Sequence, residues 1–320
     1  MVEYSPTDRR SGRRADEVND MLICDTHCDT MYKLAVHPTE PLDVTPARLK
    51  AGGVSLQTMA LYVGGDPRPK AVRRLFDGMM AQFECLKAAG WVQAFDPREA
   101  VDGEIKVMLS IEGCEIFGDS LDAIAEWRQR GVRMAAITWN YVNALGTPAK
   151  LNATDGLTPF GRQAVREMAR LGIAPDTSHL NERGFYDILE MGIAPVASHS
   201  CCRAICNHAR NLTDAQLREL FRAGGYVGLN FYPWFLADDG KCTPDTLADH
   251  LLHMLDLGGE GMIGFGSDFD GIEVKVPGLE NPADLPALFE TLERRGIAGS
   301  TLEGIAGKNL LSYYDRFDPQ

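Results

Sequence analysis

The sequence predicts a single-domain (β/α)8 TIM barrel, in which eight parallel strands close into a cylinder surrounded by helices. Three observations support this fold: eight short apolar runs, amphipathic stretches between them, and a glycine after most of those stretches. The repeating order of strand, polar loop, helix and glycine is typical of a parallel sheet. The chain of 320 residues also exceeds the roughly 250 residues that such a barrel needs.

The eight predicted strands are nearly continuous apolar runs, as expected for strands that are buried on both faces. They are Met21–Cys24, Val54–Val63, Ile105–Ile111, Val132–Thr138, Ile173–Asp176, Pro195–Ser198, Tyr226–Asn230 and Met262–Gly266. The clearest predicted helices are Phe76–Ala89, Leu121–Arg130, Pro159–Leu171, Glu182–Met191, Asp214–Ala223 and Pro244–Leu257. An open, doubly wound sheet is the alternative, but no G-x-G-x-x-G motif follows the first strand.

Local signals mark where several of these helices begin and end. Thr158 before Pro159, and Thr213 before Asp214, are typical of a helix N-cap and its first turn. A glycine follows five of the predicted helices, where a left-handed residue is favoured. These glycines are Gly131, Gly172, Gly192, Gly224 and Gly258.

The barrel domain is predicted to span residues 21–320, after a polar N-terminal tail at residues 1–20. No linker rich in proline, serine and glycine divides the chain, which favours one domain over two of about 150 residues. A net charge of −13 argues against nucleic acid as a partner. The chain contains no long apolar run and no secretory signal pattern, so we expect no membrane span and a cytoplasmic location.

In a (β/α)8 barrel the active site lies at the C-terminal ends of the strands, so residues after each apolar run are candidates. Histidines and carboxylates follow five of the eight runs. They lie at residues 25–29 after the first run, at Glu112 after the third, at 176–179 after the fifth, at 198–200 after the sixth and at 266–270 after the eighth. Three of the seven histidines therefore meet several carboxylates at one predicted rim, which predicts a metal site.

The spacing of these residues suits two metal ions. His27 and Asp29 are two positions apart, so in extended backbone both side chains point to one side and can hold one ion. His179 and His199 follow adjacent predicted strands and can hold a second ion, while Glu112 can bridge both. Imidazole and carboxylate ligands suit catalytic zinc, with manganese, cobalt and iron as alternatives. Two such ions would share a water and lower its pKa towards about 7.

An ordered set of short motifs extends from residue 25 to about residue 309. These motifs are Asp-Thr-His-Cys-Asp at 25–29, Gly-Gly-Val at 52–54 with Gln57, Ile-Glu-Gly at 111–113, Gly-Leu-Thr-Pro-Phe-Gly at 156–161, Asp-Thr-Ser-His at 176–179, Ser-His-Ser at 198–200, Arg210-Asn211, Asn230-Phe231-Tyr232, and Gly-Phe-Gly-Ser-Asp-Phe-Asp-Gly at 264–271. Together they resemble the membrane dipeptidase (renal dipeptidase) family of metallopeptidases, peptidase family M19, within the amidohydrolase-like barrels. Each motif is weak alone, but the set in this order is specific.

This resemblance implies zinc-dependent hydrolysis of dipeptides by a metal-bridging hydroxide, with a D-residue as one option at the C-terminal position. It implies two zinc ions held by His27, Asp29, Glu112, His179 and His199. Asp268 would contact the substrate amine and transfer the proton, and the bridging Glu112 would be essential to catalysis. Arg210 would bind the substrate carboxylate, with Tyr232 near that pocket. A homodimer is a further expectation from the family.

The chain departs from the family at one position. Many members carry a histidine after the threonine that ends the fourth strand, where it assists the scissile carbonyl. Here Thr138 is followed by Trp139, whose indole donates one hydrogen bond and cannot carry a full positive charge. The carbonyl contact would then come from a zinc ion, Asn140 or Asn143, and Trp139 would form a wall of the substrate pocket.

Two other classes of function stay open. The same binuclear scaffold supports hydrolysis of lactones, phosphotriesters or N-acyl amino acids, and deamination, although such relatives typically bridge their metals with a carboxylated lysine. A comparison of the activity on dipeptides with the activity on lactones and phosphotriesters would separate this class from the dipeptidases. The second class is a non-catalytic metal-binding protein, for which Trp139 is the only support. Metal content without hydrolysis of any dipeptide would favour it.

Overall fold

The computed structural model describes residues 21–151 and 153–318, so the predicted tail at residues 1–20 lies outside the described part. It contains nine strands, which we number in chain order. Strands β1 to β9 are Ile23–Asp25, Val54–Tyr62, Val92–Gln93, Lys106–Glu112, Val132–Ala136, Ala174–Asp176, Val196–Ala197, Tyr226–Leu229 and Ile263–Phe265. Neighbouring strands all pair in parallel.

The strands close into the predicted barrel. The order β2-β1-β9-β8-β7-β6-β5-β4 returns to its start because β4 also pairs with β2. The ninth strand, β3, is two residues long and lies beside the first residues of β4, where Val92 pairs with Lys106. The eight predicted strands are therefore the eight barrel strands, and the single-domain (β/α)8 fold is confirmed.

Helices follow most of the barrel strands. Helices α1 to α12 are Thr30–Val36, Pro46–Ala51, Pro69–Ala88, Leu121–Gln129, Pro159–Arg170, Glu182–Glu190, Asp214–Arg222, Pro233–Leu236, Pro244–Asp256, Leu285–Arg294, Gly299–Glu303 and Asn309–Phe317. A π-helical turn at Gly304–Lys308 joins α11 to α12. None of the helices in the described part of the chain combines the length and apolar character that crossing a membrane requires.

The predicted helix ends are confirmed where capping signals mark them. The Thr158 hydroxyl accepts a hydrogen bond from the Gly161 N–H at the start of α5, as an N-cap should. Thr213 forms a reciprocal capping box with Gln216 at the start of α7. Gly172, directly after α5, has a φ of 71°, the left-handed conformation predicted for it.

Two apolar clusters divide the interior. The larger one fills the layer between strands and helices and extends to the loops. The smaller one takes one residue from each of seven barrel strands and continues into α12. Its members on the strands are Cys24, Leu56, Met108, Met134, Ala174, Val196 and Tyr226. Tyr313 and Tyr314 of α12 complete it, and their hydroxyls donate to the carbonyls of Ala194 and Arg133 at 2.8 Å each. Helix α12 therefore closes one end of the barrel, and the opposite end stays open.

Candidate metal centre and active-site cavity

All five predicted metal ligands lie at the C-terminal ends of barrel strands and are buried. Glu112 is the last residue of β4, and His27 and Asp29 follow β1. His179 follows β6, and His199 follows β7. Their exposed fractions are 9% or less, with His179 the most exposed of the five. The parallel register of the barrel therefore brings five side chains from four strands to one rim.

The two carboxylate oxygens of Glu112 face different histidines. Oε1 lies 3.0 Å from His179 Nε2 and 3.5 Å from His199 Nε2. Oε2 lies 3.7 Å from His27 Nε2. A carboxylate that serves two separate groups of nitrogen ligands has the arrangement expected of a bridging ligand.

Asp29 and Asp268 complete the cluster on the side of His27. The His27 Nε2 atom is 3.6 Å from Asp29 Oδ2 and 3.7 Å from Asp268 Oδ1. Two overlapping groups of close ligand atoms result: His27 with Glu112 and His199, and His27 with Asp29 and Asp268. The structure therefore brings the predicted ligands and Asp268 together.

Two buried atoms of the cluster lack a hydrogen-bond partner among the described residues. They are Nε2 of His27 and Oδ1 of Asp29. An unpaired buried polar atom costs about 1–3 kcal/mol, so proteins rarely keep one without a ligand. Imidazole nitrogen and carboxylate oxygen are ligands that suit zinc. The donor set and its unpaired atoms therefore fit a pair of divalent cations.

A hydrogen-bond chain fixes His199. Its Nδ1 atom is 2.7 Å from the Ser198 hydroxyl, which in turn donates to the Asp176 carboxylate. Because the serine proton is given to Asp176, Nδ1 of His199 is the donor to the serine oxygen, and the lone pair of Nε2 faces Glu112. Asp176 also accepts from the backbone N–H groups of Ser178 and Ser198, at 2.9 and 3.0 Å. Asp176 therefore orients His199 through Ser198.

Asp25 holds the backbone at His27 in place. Its carboxylate accepts from the Ser267 hydroxyl at 2.5 Å and from the Ser267 N–H at 2.9 Å. It also accepts from the backbone N–H of His27 at 3.2 Å. This aspartate therefore joins the end of β1 to the loop that carries Asp268.

The backbone is strained at two of the site residues. His179 has a φ of 69° and Asp268 a φ of 67°, in the left-handed region that non-glycine residues rarely adopt. Such conformations cost on the order of 1–3 kcal/mol and occur preferentially at functional sites. Next to Asp268, a Cβ atom at Gly271 would lie 2.0 Å from Asp29 Oδ2, so only glycine fits there.

Burial and mutual charge shift the pKa values of the cluster. Burial raises the pKa of Glu112, and the charges of Asp29 and Asp268 raise it further. For His27, burial lowers the pKa, but the nearby Glu112 and Asp29 carboxylates outweigh it and raise the pKa to about 10. Burial lowers the pKa of His179 and of His199 well below the usual value. These two imidazoles are therefore neutral, which is the protonation state that binds a metal.

Asp268 is held by a neighbouring amide. The Asn230 side-chain N–H donates to Asp268 Oδ2 at 2.9 Å, and the Asn230 oxygen accepts from the Tyr232 N–H at 2.6 Å. Burial and the charge of Asp29 raise the pKa of Asp268, His27 and the Asn230 hydrogen bond lower it, and the net pKa is about 6. A carboxylate with this pKa is suited to accept and return a proton near neutral pH.

A cavity of about 820 Å³ lies above the cluster. Glu112, Asp268, Trp139, Asn140 and Tyr232 line it, as do Tyr32, Tyr62 and Phe235. Trp139 thus forms part of the wall, as predicted, and its ring centroid is 6.2 Å from that of His179.

Arg210 and Asn143 are not among the residues that line this cavity. The Arg210 guanidinium is buried, donates to the His199 carbonyl at 3.3 Å and lies 5.4 Å above the Phe235 ring. Its Nε atom has no partner among the described residues. The Asn143 amide donates to the Ile137 carbonyl at 2.8 Å and accepts from two N–H groups of its own loop. Its contacts thus stabilise the loop.

Two polar residues of the site are absent from the sequence-based set of candidates. Tyr62 ends β2 and lines the cavity, and Asn230 follows β8 and holds Asp268. Asn230 ends the seventh predicted strand and Tyr62 is the last residue but one of the second, so a search at the strand ends themselves, and not only after them, would include both residues.

The chain is similar to known dipeptidases and metallopeptidases. An uncharacterised dipeptidase of Schizosaccharomyces pombe is 34% identical over 223 residues, which cover 67% of this chain and 54% of the relative. A metallopeptidase of Rhodobacter sphaeroides, solved with a phosphinate mimic of the dipeptide L-Ala-D-Ala, superposes with a TM-score of 0.86 at 26% identity. The crystal structure of the metallopeptidase named dipeptidase AC superposes with a TM-score of 0.87 at 27% identity. Each superposition covers 93% of this chain and 99% of the other.

The chain spans about half the length of the curated relatives that it matches. The family model for membrane dipeptidases matches residues 13–315, nearly the whole chain. The barrel, the ligand set at its open end and the extent of this match lead to one assignment: the chain belongs to the membrane dipeptidase family, peptidase family M19.

Proposed function

We propose that the protein is a zinc-dependent dipeptidase with two metal ions per chain. The observation that carries the proposal is the position of Glu112, whose two oxygens face separate histidines while His27 Nε2 and Asp29 Oδ1 are buried without a partner. His27 and Asp29 would hold one ion, His179 and His199 the other, and Glu112 both. Bound zinc would supply a Lewis acid that polarises the scissile carbonyl and activates water near neutral pH.

The protein's own residues then supply proton transfer and substrate position. Asp268 would take the proton of the attacking water and give it to the leaving amine, a role for which its pKa of about 6 is suited. The same carboxylate would meet the free amine of the substrate. Arg210 does not itself line the cavity, but its guanidinium packs on the lining residue Phe235 and has an unpaired Nε–H, and on this basis it would bind the substrate carboxylate. Tyr232 and Trp139 would contact the substrate from the cavity wall.

Binding of both charged ends would restrict the substrate to dipeptides. The Rhodobacter sphaeroides relative was solved with a mimic of L-Ala-D-Ala, so we include a D-residue at the C-terminal position in the proposal. A cytoplasmic location and a homodimer stay predictions from the sequence and the family.

The proposal is tested by metal analysis and a substrate panel. We expect about two zinc ions per chain and hydrolysis of L,L- or L,D-dipeptides, with no comparable turnover of lactones, phosphotriesters or N-acyl amino acids. Metal content with no hydrolysis of any dipeptide would contradict the enzymatic function.

Glu112→Gln tests the bridging assignment. The amide has one oxygen and no charge, so we expect a loss of at least about 1,000-fold in kcat/KM and of at least one metal ion. Glu115→Gln is the matched control, because Glu115 is a partly buried carboxylate in the turn directly after β4 and forms no ion pair with a site histidine in the described part of the chain. Full activity and metal content in Glu112→Gln would show that the bridge is assigned to the wrong residue.

A further inference from the structure

We infer that the Tyr62 hydroxyl donates a hydrogen bond to the carbonyl oxygen of the scissile peptide bond as that oxygen gains negative charge. Tyr62 would then be a further catalytic residue of the enzyme. This inference rests on the proposed dipeptidase function and names the group that stabilises the reacting oxygen.

The register of the barrel places Tyr62 beside Glu112. Tyr62 is the last residue of β2, Glu112 is the last residue of β4, and the two are direct partners in the parallel ladder. Side chains alternate between the two faces of each strand, so paired residues on neighbouring strands project to the same side. Both side chains line the cavity above the metal cluster. The phenol therefore enters the cavity next to the carboxylate that faces all three histidines.

The Tyr62 ring is fixed by two aromatic neighbours. Its centroid lies 4.8 Å from that of Tyr32 and 4.9 Å from that of Trp139, with interplanar angles of 67° and 71°. Edge-to-face contacts of this kind hold an aromatic ring in one orientation. A donor held in place before the reaction stabilises a developing charge without a reorganisation cost.

The Tyr62 hydroxyl is free to donate, since it makes no hydrogen bond to any residue that the structure describes. The cationic side chains that line the cavity are already engaged: Lys33 pairs with Asp270, and Lys275 pairs with Asp43. Burial, with the charges of Glu112 and Asp29 adding to it, raises the pKa of Tyr62 above its usual value. The phenol accordingly keeps its proton and acts as a donor.

The other two cavity tyrosines are placed less well for this role. Tyr232 follows β8 and packs on Phe235, which the Arg210 guanidinium also contacts, so it suits the carboxylate end of the substrate. Tyr32 lies in α1 and has no strand register with Glu112. The Trp139 indole is the remaining alternative donor, and it packs against Tyr62 itself.

The test is Tyr62→Phe in the zinc-loaded enzyme. This change removes the hydroxyl and keeps the ring, so the packing and the metal content should be preserved. We expect kcat to fall about 10- to 100-fold while KM changes less than about threefold, because the hydrogen bond strengthens in the transition state. The affinity for a phosphinate dipeptide mimic, whose tetrahedral group resembles that state, should fall by the same factor as kcat/KM.

Tyr186→Phe is the control: it is the same change at a tyrosine of α6 that does not line the cavity, and we expect kcat within twofold of the parent. Trp139→Phe tests the alternative donor. A Tyr62→Phe variant with kcat and phosphinate affinity within twofold of the parent would overturn the inference, as would a loss confined to Trp139→Phe. If the parent hydrolyses no dipeptide, the proposed function fails, and phosphinate affinity alone still decides whether the hydroxyl contacts a tetrahedral group.

Discussion

The properties of Asp268 depend on a few single contacts. Burial raises its pKa to about 6, and the hydrogen bond from Asn230 acts in the opposite direction, because it favours the charged form. As a general base Asp268 must be deprotonated, so activity should fall as the pH falls through its pKa. Bound cations further favour the charged form of the carboxylate. The acidic limb of the pH–activity profile should therefore lie at or below pH 6 in the metal-loaded enzyme.

Asn230→Ala should move the acidic limb of the kcat/KM profile to higher pH by about one unit, since a hydrogen bond to a charged group contributes about 1.5–3 kcal/mol. The measurement is the pH dependence of kcat/KM for one dipeptide in both enzymes. Asn207→Ala, at an exposed position, is the control and should leave the limb in place. An unchanged limb in Asn230→Ala would show that this amide does not set the pKa of Asp268.

The meeting of the proposed metal ligands and Asp268 at one rim could be predicted, because each follows an apolar run and the fold directs such residues to that rim. Tyr62 and Asn230 lie within the last two residues of two predicted strands and not after them, and a tyrosine or an asparagine at a strand end often has only a structural role. Asn143 is the opposite case: its residue type suggests a contact to the substrate carbonyl, but it does not line the cavity. Its amide bonds to three backbone groups of its own loop, and the conformation that allows this cannot be derived from residue types alone.

At the level of elements, the loop after β9 is shaped by its contact with the ligand carboxylates. It contains the left-handed Asp268 and Asp270, and Gly271 approaches both Asp29 and Asp268. A Cβ atom at Gly271 would lie 2.0 Å from Asp29 Oδ2 and 2.7 Å from Asp268 Oδ1. Glycine is thus needed here for space rather than for its backbone conformation.

Gly271→Ala should therefore displace a ligand carboxylate and the proton-transfer group together. We expect a loss of at least about 100-fold in kcat/KM and weaker zinc binding, because small misplacements of catalytic groups have effects of this size. Gly78→Ala is the control. Position 78 lies within α3 with open space for a methyl group, so it should keep full activity and gain roughly 0.5–1 kcal/mol of stability. Normal zinc content and activity in Gly271→Ala would contradict the close contact.

The prediction of elements succeeded where periodicity and caps agreed. Helices α4 to α7 and α9 begin at the predicted residue and end within one residue of the prediction, since a capping residue or a glycine marks their ends. Helix α3 begins at Pro69, seven residues before the predicted start. The sequence-based set omitted α10 and α12, which have ten and nine residues, and also the shorter α1, α2, α8, α11 and β3, which have seven, six, four, five and two residues. The shorter segments do not complete the periodic pattern on which such predictions depend.

Over the whole molecule, the two ends of the barrel have different roles. Apolar residues and α12 fill one end, while the other end gathers buried carboxylates and histidines. Charges in such a cluster are costly to bury without a counterion. We therefore expect bound metal to contribute to the stability of the entire fold.

Removal of metal by a chelator should lower the Tm by about 5 °C or more, because a ligand at 1,000 times its Kd stabilises the native state by about 4 kcal/mol. The measurement is thermal unfolding with and without chelator, followed by re-addition of zinc, which should restore the Tm. The Glu112→Gln variant should respond much less, since its site is already impaired. An equal Tm with and without chelator would indicate that the cluster binds no stabilising metal.

The bond between Asp25 and Ser267 joins residues that are 242 positions apart, at the pairing of β1 with β9. This pairing is the seam at which the first and last strands close the cylinder. Contacts between such distant segments form slowly, because a long loop must close first. His27, Asp29 and Asp268 meet across that seam, so we expect the proposed metal-binding rim to be assembled late in folding. Uptake of metal during refolding would accordingly report closure of the ring itself.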